Sequence, residues 1–188
     1  MGVDVMKYLE TERLILRDFS TDDFDDVHEY SSDYENVKHM MFGPNTPEQT
    51  RIYLKKQCVE EMNAEPRMHY NFAIELKDSG KVIGGISIHL NWRRDDAILG
   101  SVINRKYNGK GYATEAMRGV LEIAFTQLGL HRVHGVCDVR NAAVIHLLEK
   151  VGLRNEGRMV KRGKARPEEE ETYFDQFGFA ILAEEWNG

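Results

Sequence analysis

A chain of 188 residues that is 41% apolar and 30% charged has the size and composition of one globular domain with its own core. Its net charge of −6 argues against general nucleic-acid binding, because that binding draws its affinity from cationic side chains placed on phosphates. The chain has no apolar run near the roughly 18 residues of a membrane span and no signal-peptide layout at its start. Two distant cysteines without metal spacing suit a reducing cytoplasm. We therefore expect a single cytoplasmic domain over residues 1–188 that binds no metal, no membrane and no nucleic acid directly.

The first third of the chain predicts one strand followed by helices. Residues 12–19 alternate in polarity as a strand does, with Leu14 and Leu16 on one face. The run STDD at residues 20–23 supplies N-cap candidates for a helix. Pro47 stands at the first position of a second helix, which we expect to reach about residue 63.

The middle of the chain predicts an antiparallel meander and then a long helix. The turn signal KDSG separates two strands, and a further turn leads to a third; we place the strands at 69–76, 81–91 and 97–104. Apolar residues then recur at the i, i+3, i+4, i+7 spacing of one buried helical face over residues 110–128. Gly129 ends this helix.

The last third predicts three more strands around one helix. Asn141 is a good N-cap for a helix over residues 142–151, and Gly152 ends it. The strands are expected at 132–139, 153–160 and 172–182, with the charged link 161–171 as a solvated hairpin loop. The predicted fold is therefore an α/β (α+β) domain with a mixed, mostly antiparallel seven-stranded sheet and helices on both faces.

The strand-to-helix turn within residues 104–116 (NRKYNGKGYATEA) is the strongest candidate binding feature. Gly109 and Gly111 flank Lys110 where the strand should give way to the helix, and small residues fill the first helical turn. Such a turn brings free backbone N–H groups and the positive end of a helix dipole to one point. The arrangement suits a phosphate, although a short glycine turn also occurs for structural reasons alone.

Four blocks in order carry a resemblance to a known family. They are LETERLILRDFSTDDFDDV near the start, NRKYNGKGYATEAMRGVLEIAF in the centre, NAAVIHLLEKVGLRNEG after it and FDQFGFAILAEEW near the end. The chain resembles the GNAT superfamily of acyl-CoA-dependent N-acyltransferases, and more narrowly its RimJ/RimL branch, which acetylates protein N-termini and some small amines. The resemblance implies acetyl-CoA as cosubstrate, and a homodimer as an expected assembly.

The resemblance also implies which residues bind the cofactor. The family loop Q/R-x-x-G-x-G/A falls on residues 108–113, where Asn108 departs from Gln or Arg. Its backbone N–H groups would hold the pyrophosphate, and the strand end beside a bulge would pair with the pantetheine arm. Asn141 would bind the pantetheine or acetyl end of the cofactor as well as capping its helix. The expected cofactor-binding residues are Val102, Ile103, Asn104, Asn108, Gly109, Lys110, Gly111, Tyr112, Ala113, Thr114 and Asn141.

The catalytic groups are harder to assign from the sequence. The positions where many relatives keep a Tyr or Ser acid hold Leu148 and Val144, so solvent or Tyr112 would have to protonate the leaving thiolate. Some relatives carry a Glu base on the strand where Ile98 stands. We expect the preceding turn to place His89 opposite Ile98, on the same sheet face, as a candidate base.

Asp138, at the end of its strand, is a second candidate base, and Asn141 completes the expected catalytic set. Each has a structural alternative: a lone histidine on a strand is commonly a packing residue, and a carboxylate near a helix N-terminus is stabilised there without chemistry. Cys137 has no activating neighbour in the sequence, so direct attack in a ternary complex is expected instead of an acyl-enzyme.

The free energy needed to deprotonate an amine indicates which class of acceptor the site favours. Deprotonating a lysine at pH 7 costs about 4.6 kcal/mol, whereas an α-amine with a pKa near 7.8 costs only about 1 kcal/mol. A site without an evident strong base therefore favours the α-amine of a protein or peptide. Small amines such as a polyamine, an amino acid or an aminoglycoside stay open, as does a relative that binds CoA without turnover.

Overall fold

The computed structural model describes residues 8–164 and 173–187, which build one eight-stranded sheet. In chain order the strands are β1 Tyr8–Glu10, β2 Leu14–Asp18, β3 His69–Leu76, β4 Val82–Leu90, β5 Asp96–Ile103, β6 Arg132–Asp138, β7 Arg154–Lys164 and β8 Tyr173–Leu182. Their order across the sheet is β1-β2-β3-β4-β5-β6-β8-β7. The pairing of β5 with β6 is parallel and the other pairings are antiparallel, so the sheet is mixed, as predicted.

Five α-helices in the described part of the chain cover the sheet, and local signals start most of them. They are α1 Phe24–Ser31, α2 Tyr34–Val37, α3 Pro47–Ile52, α4 Tyr112–Glu122 and α5 Ala142–Lys150. Both α3 and α4 continue in wider π-type turns, to Glu60 and Gln127 respectively. Thr46 begins α3 with a capping box, and Asn141 begins α5 by accepting a hydrogen bond from the backbone of Val144.

Helices on the two faces of the sheet close two apolar clusters. The larger cluster lies between the sheet and the helices α4 and α5, and includes Met117, Leu121 and Leu148. The smaller one lies between the sheet and the helices α1 and α3, and includes Val27 and Leu54. Because successive residues of a strand face opposite sides, β3, β4 and β5 contribute to both clusters.

The central feature of the sheet is a gap between β5 and β6. Their parallel pairing extends over only three residue pairs and ends at Ile98 and His134. Beyond that point β5 continues to Ile103 and β6 to Asp138 without further pairing to each other. The gap therefore widens towards the ends of both strands, where the helices α4 and α5 begin.

Several predicted bounds needed correction. The sheet has eight strands instead of seven, because the three residues of β1 pair with β2; a segment this short shows no period in the sequence. The helix α4 begins at Tyr112, two residues after the predicted start, because Gly111 has a left-handed backbone. The first part of the predicted loop 161–171 belongs to β7, where Lys164 pairs with Tyr173; the segment 165–172 lies outside the described residues.

Within the described part of the chain, no helix has the length and apolar character needed to cross a membrane.

Candidate active site

The loop that joins β5 to α4 presents backbone N–H groups at a helix start. Gly109 and Gly111 have φ of +76° and +83°, a region that L side chains rarely adopt. Gly111 is the N-cap of α4 and has no side chain with which to cap it. The first N–H groups of α4, from Tyr112 to Thr114, are therefore left for a ligand, and the helix dipole favours an anion there.

An ion pair that sequence reasoning missed holds this loop in place. The Arg13 guanidinium contacts the Glu115 carboxylate at 2.7 Å and donates to the Lys110 carbonyl oxygen at 2.9 Å. Thr11 Oγ1 and the Arg13 backbone N–H donate to the other Glu115 oxygen at 2.6 and 2.7 Å. Burial alone would raise the pKa of Glu115, but these hydrogen bonds lower it below its usual range. The negative charge of Glu115 near the loop is thus matched by Arg13.

Asn104 lies at the end of β5 and carries a polar atom without a partner. Its side chain is buried, and its Oδ1 accepts a hydrogen bond from the Lys106 backbone at 3.1 Å. Asn36 on α2 is placed similarly: its Oδ1 accepts from the Arg105 backbone at 2.6 Å. These bonds fix the orientation of each amide and leave the two Nδ2 groups buried without a hydrogen-bond partner. Two free donors beside the loop fit a ligand rich in carbonyl and phosphate oxygens.

The predicted pantetheine strand, Val102 and Ile103, is the last part of β5 before this loop. Both residues pair with β4 on one side, opposite Gly85 and Gly84. The other edge of β5 faces the gap, because pairing with β6 has already ended. The expected bulge is not in this strand: the register of β4 with β5 is regular, and the irregular step lies between β3 and β4 at Ile74 and Glu75.

The other loop residues lie where the sequence placed them, around the start of α4. Asn108 is exposed and ends a short turn of 3₁₀ helix. The Lys110 ammonium lies 5.3 Å from the centre of the Tyr107 ring, and the Arg13 guanidinium lies 4.5 Å from the centre of the Tyr112 ring. Ala113 and Thr114 occupy the first turn of α4. Tyr112 is the first residue of α4, and its ring also lies 6.4 Å from the Tyr107 ring.

Asn141 faces the same gap from the start of α5. Its Oδ1 accepts the Val144 N–H at 3.2 Å, which confirms the predicted N-cap. Its backbone N–H donates to the Asp138 carbonyl oxygen at 2.9 Å, so the turn from β6 into α5 is tight. The Nδ2 group of a cap used in this way stays available as a donor for a ligand carbonyl.

Asp138 ends β6 as a buried carboxylate that is fully engaged. Its oxygens accept from the Arg140 guanidinium at 2.7 to 3.0 Å and from the Arg140 backbone at 2.8 Å. His39 Nδ1 lies 3.4 Å away. Burial would raise the pKa of Asp138, but the hydrogen bonds from Arg140 and His39 lower it below its usual range. A carboxylate held ionised in this way is a weak proton acceptor.

His89 lies opposite Ile98 in the β4–β5 register, as predicted, and opposite His69 on its other side. Its ring stacks on the His69 ring with centroids 4.6 Å apart, and its Nε2 lies 3.2 Å from Asn71 Oδ1. Burial and the neighbouring His69 lower the pKa of His89. One ring face and one nitrogen of His89 thus have packing or hydrogen-bonding partners, as in a histidine with a structural role.

The thiol of Cys137 has no activating environment. It is buried in the larger apolar cluster, and burial together with the negative charge of Asp138 raises its pKa to about 11. A thiol in this state is a poor nucleophile at neutral pH, so a covalent acyl-enzyme on Cys137 is disfavoured.

A family model and several known proteins match this chain. The family model described as the acetyltransferase (GNAT) domain matches residues 13–154. The uncharacterized N-acetyltransferase YnaD of Bacillus subtilis (strain 168) is 33% identical over 183 residues, covering 96% of this chain and 99% of that protein. A crystal structure of an acetyltransferase (GNAT family) from Bacillus anthracis is 33% identical with a TM-score of 0.81, covering 95% of this chain and 99% of that one. A spermidine N-acetyltransferase from Vibrio cholerae, in complex with CoA and spermine, has a TM-score of 0.78 at 21% identity, covering 95% of this chain and 100% of that one.

The chain therefore belongs to the GNAT acetyltransferase family. It is an acetyl-CoA-dependent acyltransferase that acts on an amine, with acetyl-CoA as the cosubstrate. The uncapped start of α4 and the free amide donors of Asn36 and Asn104 fit the phosphate and carbonyl oxygens of that cosubstrate.

Proposed function

We propose that the enzyme acetylates the α-amine at the N-terminus of a protein or peptide, as in the RimJ/RimL branch. The amine attacks acetyl-CoA directly, with both substrates bound in the gap between β5 and β6. The N–H groups at the start of α4 hold the pyrophosphate, and the free edge of β5 from Leu99 to Ile103 pairs with the pantetheine arm. Asn104 and Asn141 donate to its carbonyl oxygens.

The proposal about the acceptor rests on the ion-pair partners of the carboxylates near the gap. Asp138 is bonded to Arg140, Asp96 to His134, and Asp175 to Arg158. A polyamine bears at least one ammonium besides the reacting amine, and that charge needs an unengaged carboxylate when it leaves water. These three carboxylates already have cationic or imidazole partners, so they are not available to a second ammonium group. The site therefore suits an acceptor that carries no positive charge besides its reacting amine.

The energetics of deprotonation support the same acceptor class. A peptide α-amine costs about 1 kcal/mol to deprotonate at pH 7, and a lysine side chain about 4.6 kcal/mol. Asp138, at the end of β6 beside the gap, is a carboxylate with a lowered pKa, and so is Asp175 on the neighbouring strand β8. Such carboxylates are weak bases, so an acceptor that is easily deprotonated, such as an α-amine, suits the site better than a more basic amine.

Acetylation of a polyamine is the second candidate. The Vibrio cholerae structure with spermine is a relative by fold, and the sequence carries four consecutive glutamates at residues 168–171. That acidic run lies in the segment 165–172, outside the described residues.

A panel of acceptors tests the proposal. Purified protein is incubated with acetyl-CoA and peptides that begin with alanine or serine, with spermidine, and with an aminoglycoside, while released thiol is measured. We expect release that depends on the peptide and disappears when the same peptide carries a blocked N-terminus. Release with spermidine alone would replace the proposed acceptor by the second candidate. Acetylation of an internal lysine of the blocked peptide would also contradict the proposal.

A further inference from the structure

A row of residues crosses the sheet at the point where β5 and β6 separate. The register places His69, His89, Ile98 and His134 directly opposite one another on β3, β4, β5 and β6. Directly opposed residues point to the same face of a sheet. Ile98 and His134 form the last pair before the gap, so His134 stands at its closed end.

The face on which His134 lies is the one covered by α1, α2 and α3. In β6, Val133 and Cys137 belong to the cluster under α4 and α5, so His134 and Asp138 face the other side. Asp138 contacts His39, which follows α2, and this contact confirms the direction. Ile98 beside His134 is also exposed, at 37%. An acceptor entering the gap from this side would meet Ile98 and His134.

The His134 ring is oriented by a carboxylate. Its Nδ1 lies 2.8 Å from Asp96 Oδ1, and Asp96 also lies 3.9 Å from the Arg132 guanidinium. An ionised carboxylate only accepts hydrogen bonds, so the proton of the neutral imidazole stays on Nδ1. This leaves the lone pair on Nε2, in a side chain that is 37% exposed. The same logic of a carboxylate that sets the imidazole tautomer operates in catalytic triads.

We propose that His134 is the general base that takes the proton from the acceptor amine, and that Asp96 is its positioning residue. The inference rests on the proposed transfer of an acetyl group to an amine, and it holds for either acceptor class. Imidazole is the side chain best suited to this task near neutral pH. No signal in the sequence singled out His134, because its partner Asp96 lies 38 residues away.

The reaction balances without a further reagent. The lone pair of the neutral amine attacks the thioester carbonyl carbon, a C–N bond forms, and the C–S bond breaks with its electron pair on sulfur. The nitrogen loses one proton to His134 Nε2, and the thiolate takes one proton from water. The imidazolium then returns its proton to solvent.

Neither of the other candidate bases is placed as well. His89 lies one strand further from the gap, its Nε2 is 3.2 Å from Asn71 Oδ1, and it stacks on His69. Asp138 is held ionised by Arg140. In the described part of the chain, His134 contacts Asp96 on β5, and Arg132 on the strand of His134 pairs with both Asp96 and Glu156 of β7.

The first test replaces the imidazole. His134→Ala should lower kcat/KM by about 100-fold, the effect typical of losing a general base. The acidic limb of the pH profile of kcat/KM should disappear, and added imidazole should restore part of the activity. Binding of CoA and the far-UV circular dichroism spectrum should match those of the wild type. His131→Ala removes an exposed histidine three residues away and serves as the matched control.

The second test keeps the imidazole and changes its orientation. Asp96→Asn should lower kcat by about tenfold or more with little change in KM for acetyl-CoA, because an amide no longer selects the Nδ1–H tautomer. The proposal would be overturned if His134→Ala and Asp96→Asn both kept the turnover and the pH profile of the wild type. It would also be overturned if His89→Ala removed the acidic limb and His134→Ala left it in place.

The assays use whichever acceptor gives the highest wild-type turnover in the panel of peptides and spermidine. If only spermidine is acetylated, the proposed acceptor class fails while the test of His134 proceeds with spermidine. The experiments can therefore reject His134 as the general base and the α-amine as the acceptor independently of each other.

Discussion

Arg13 and Glu115 are 102 residues apart in the chain and form an ion pair at 2.7 Å that ties the start of β2 to the first turn of α4. The same guanidinium bonds to the Lys110 carbonyl oxygen. The loop that is proposed to hold the pyrophosphate is therefore anchored by a residue near the start of the chain. Its shape before binding depends on this pair, and preorganised donors bind more tightly than mobile ones.

Glu115→Gln should weaken this anchor. We expect the dissociation constant of CoA to rise about fivefold, a change of about 1 kcal/mol, because the loop would be less ordered before binding. Isothermal titration of CoA into the two proteins measures the difference. Glu122→Gln, at the exposed end of the same helix, is the matched control. Equal affinity in Glu115→Gln and the wild type would contradict the proposed role of the anchor.

The Glu115 anchor should also make stability depend on pH. Its pKa is lowered in the folded state, so its contribution is present above the unfolded value near 4.3 and is lost as the pH falls through the lower folded value. The difference in melting temperature between the wild type and Glu115→Gln should therefore be constant near neutrality and shrink below about pH 4. Thermal scans between pH 3 and 7 test this expectation. A difference that grew on acidification would contradict it.

Gly111→Val should abolish binding of CoA. A valine at φ +83° is strained, and a Cβ there would lie 3.3 Å from the Arg13 guanidinium, which anchors the loop. We expect at least about a 100-fold loss of affinity, roughly 2.7 kcal/mol. Gly80→Val is the matched control, since Gly80 has φ +70° and open space around it in a hairpin turn. If both variants bind CoA as the wild type does, the loop is not the binding site.

Asn104→Asp should test the free amide donor at the end of β5. The substitution keeps an oxygen to accept the Lys106 N–H and replaces the unpartnered Nδ2 by a second acceptor. If this donor bonds to the cosubstrate, the affinity for CoA should fall about tenfold. Asn155→Asp is the control, because Asn155 Oδ1 caps the Gly157 backbone in the same way on an exposed strand. A loss in the control as large as that in Asn104→Asp would refute the assignment.

Asp138→Asn should destabilise the fold without changing the pH profile of turnover. The buried carboxylate accepts several hydrogen bonds from Arg140, and removing its charge should cost about 2 kcal/mol of unfolding free energy. Urea denaturation measures this cost. The acidic limb of kcat/KM should persist, since we assign the base to His134. Loss of that limb in Asp138→Asn alone would return Asp138 to the role of base.

Local signals in the sequence were enough for much of the fold. The meander of β3, β4 and β5, the amphipathic helix α4 and the N-cap at Asn141 are confirmed by the structure. Each depends on neighbours within a few residues: polarity that alternates, apolar spacing of three and four, or a side chain that bonds to its own backbone. The register that sets His89 opposite Ile98 also follows from a local turn.

The length of β7 and the strand β1 could not be predicted in this way. The segment 161–164 has the composition of a solvated loop, yet Gly163 and Lys164 pair with the start of β8, and the Arg162 guanidinium donates to Gln176 Oε1. The short β1 has three residues and no period of its own. In both cases the hydrogen bonds that define the strand come from its partner strand. The pattern of polar and apolar residues within the segment does not identify that partner.

The sequence by itself determined the glycine loop, the helix that begins there and the family to which the chain belongs, because these depend on residues close together in the chain. Only the tertiary structure decided where the gap between β5 and β6 closes and which residues meet at that point. The parallel pairing of β5 with β6 stops at Ile98 and His134, and it brings Asp96 within 2.8 Å of His134 across 38 residues. A parallel register is set by the packing of whole strands and helices, so it has no local pattern from which to predict it.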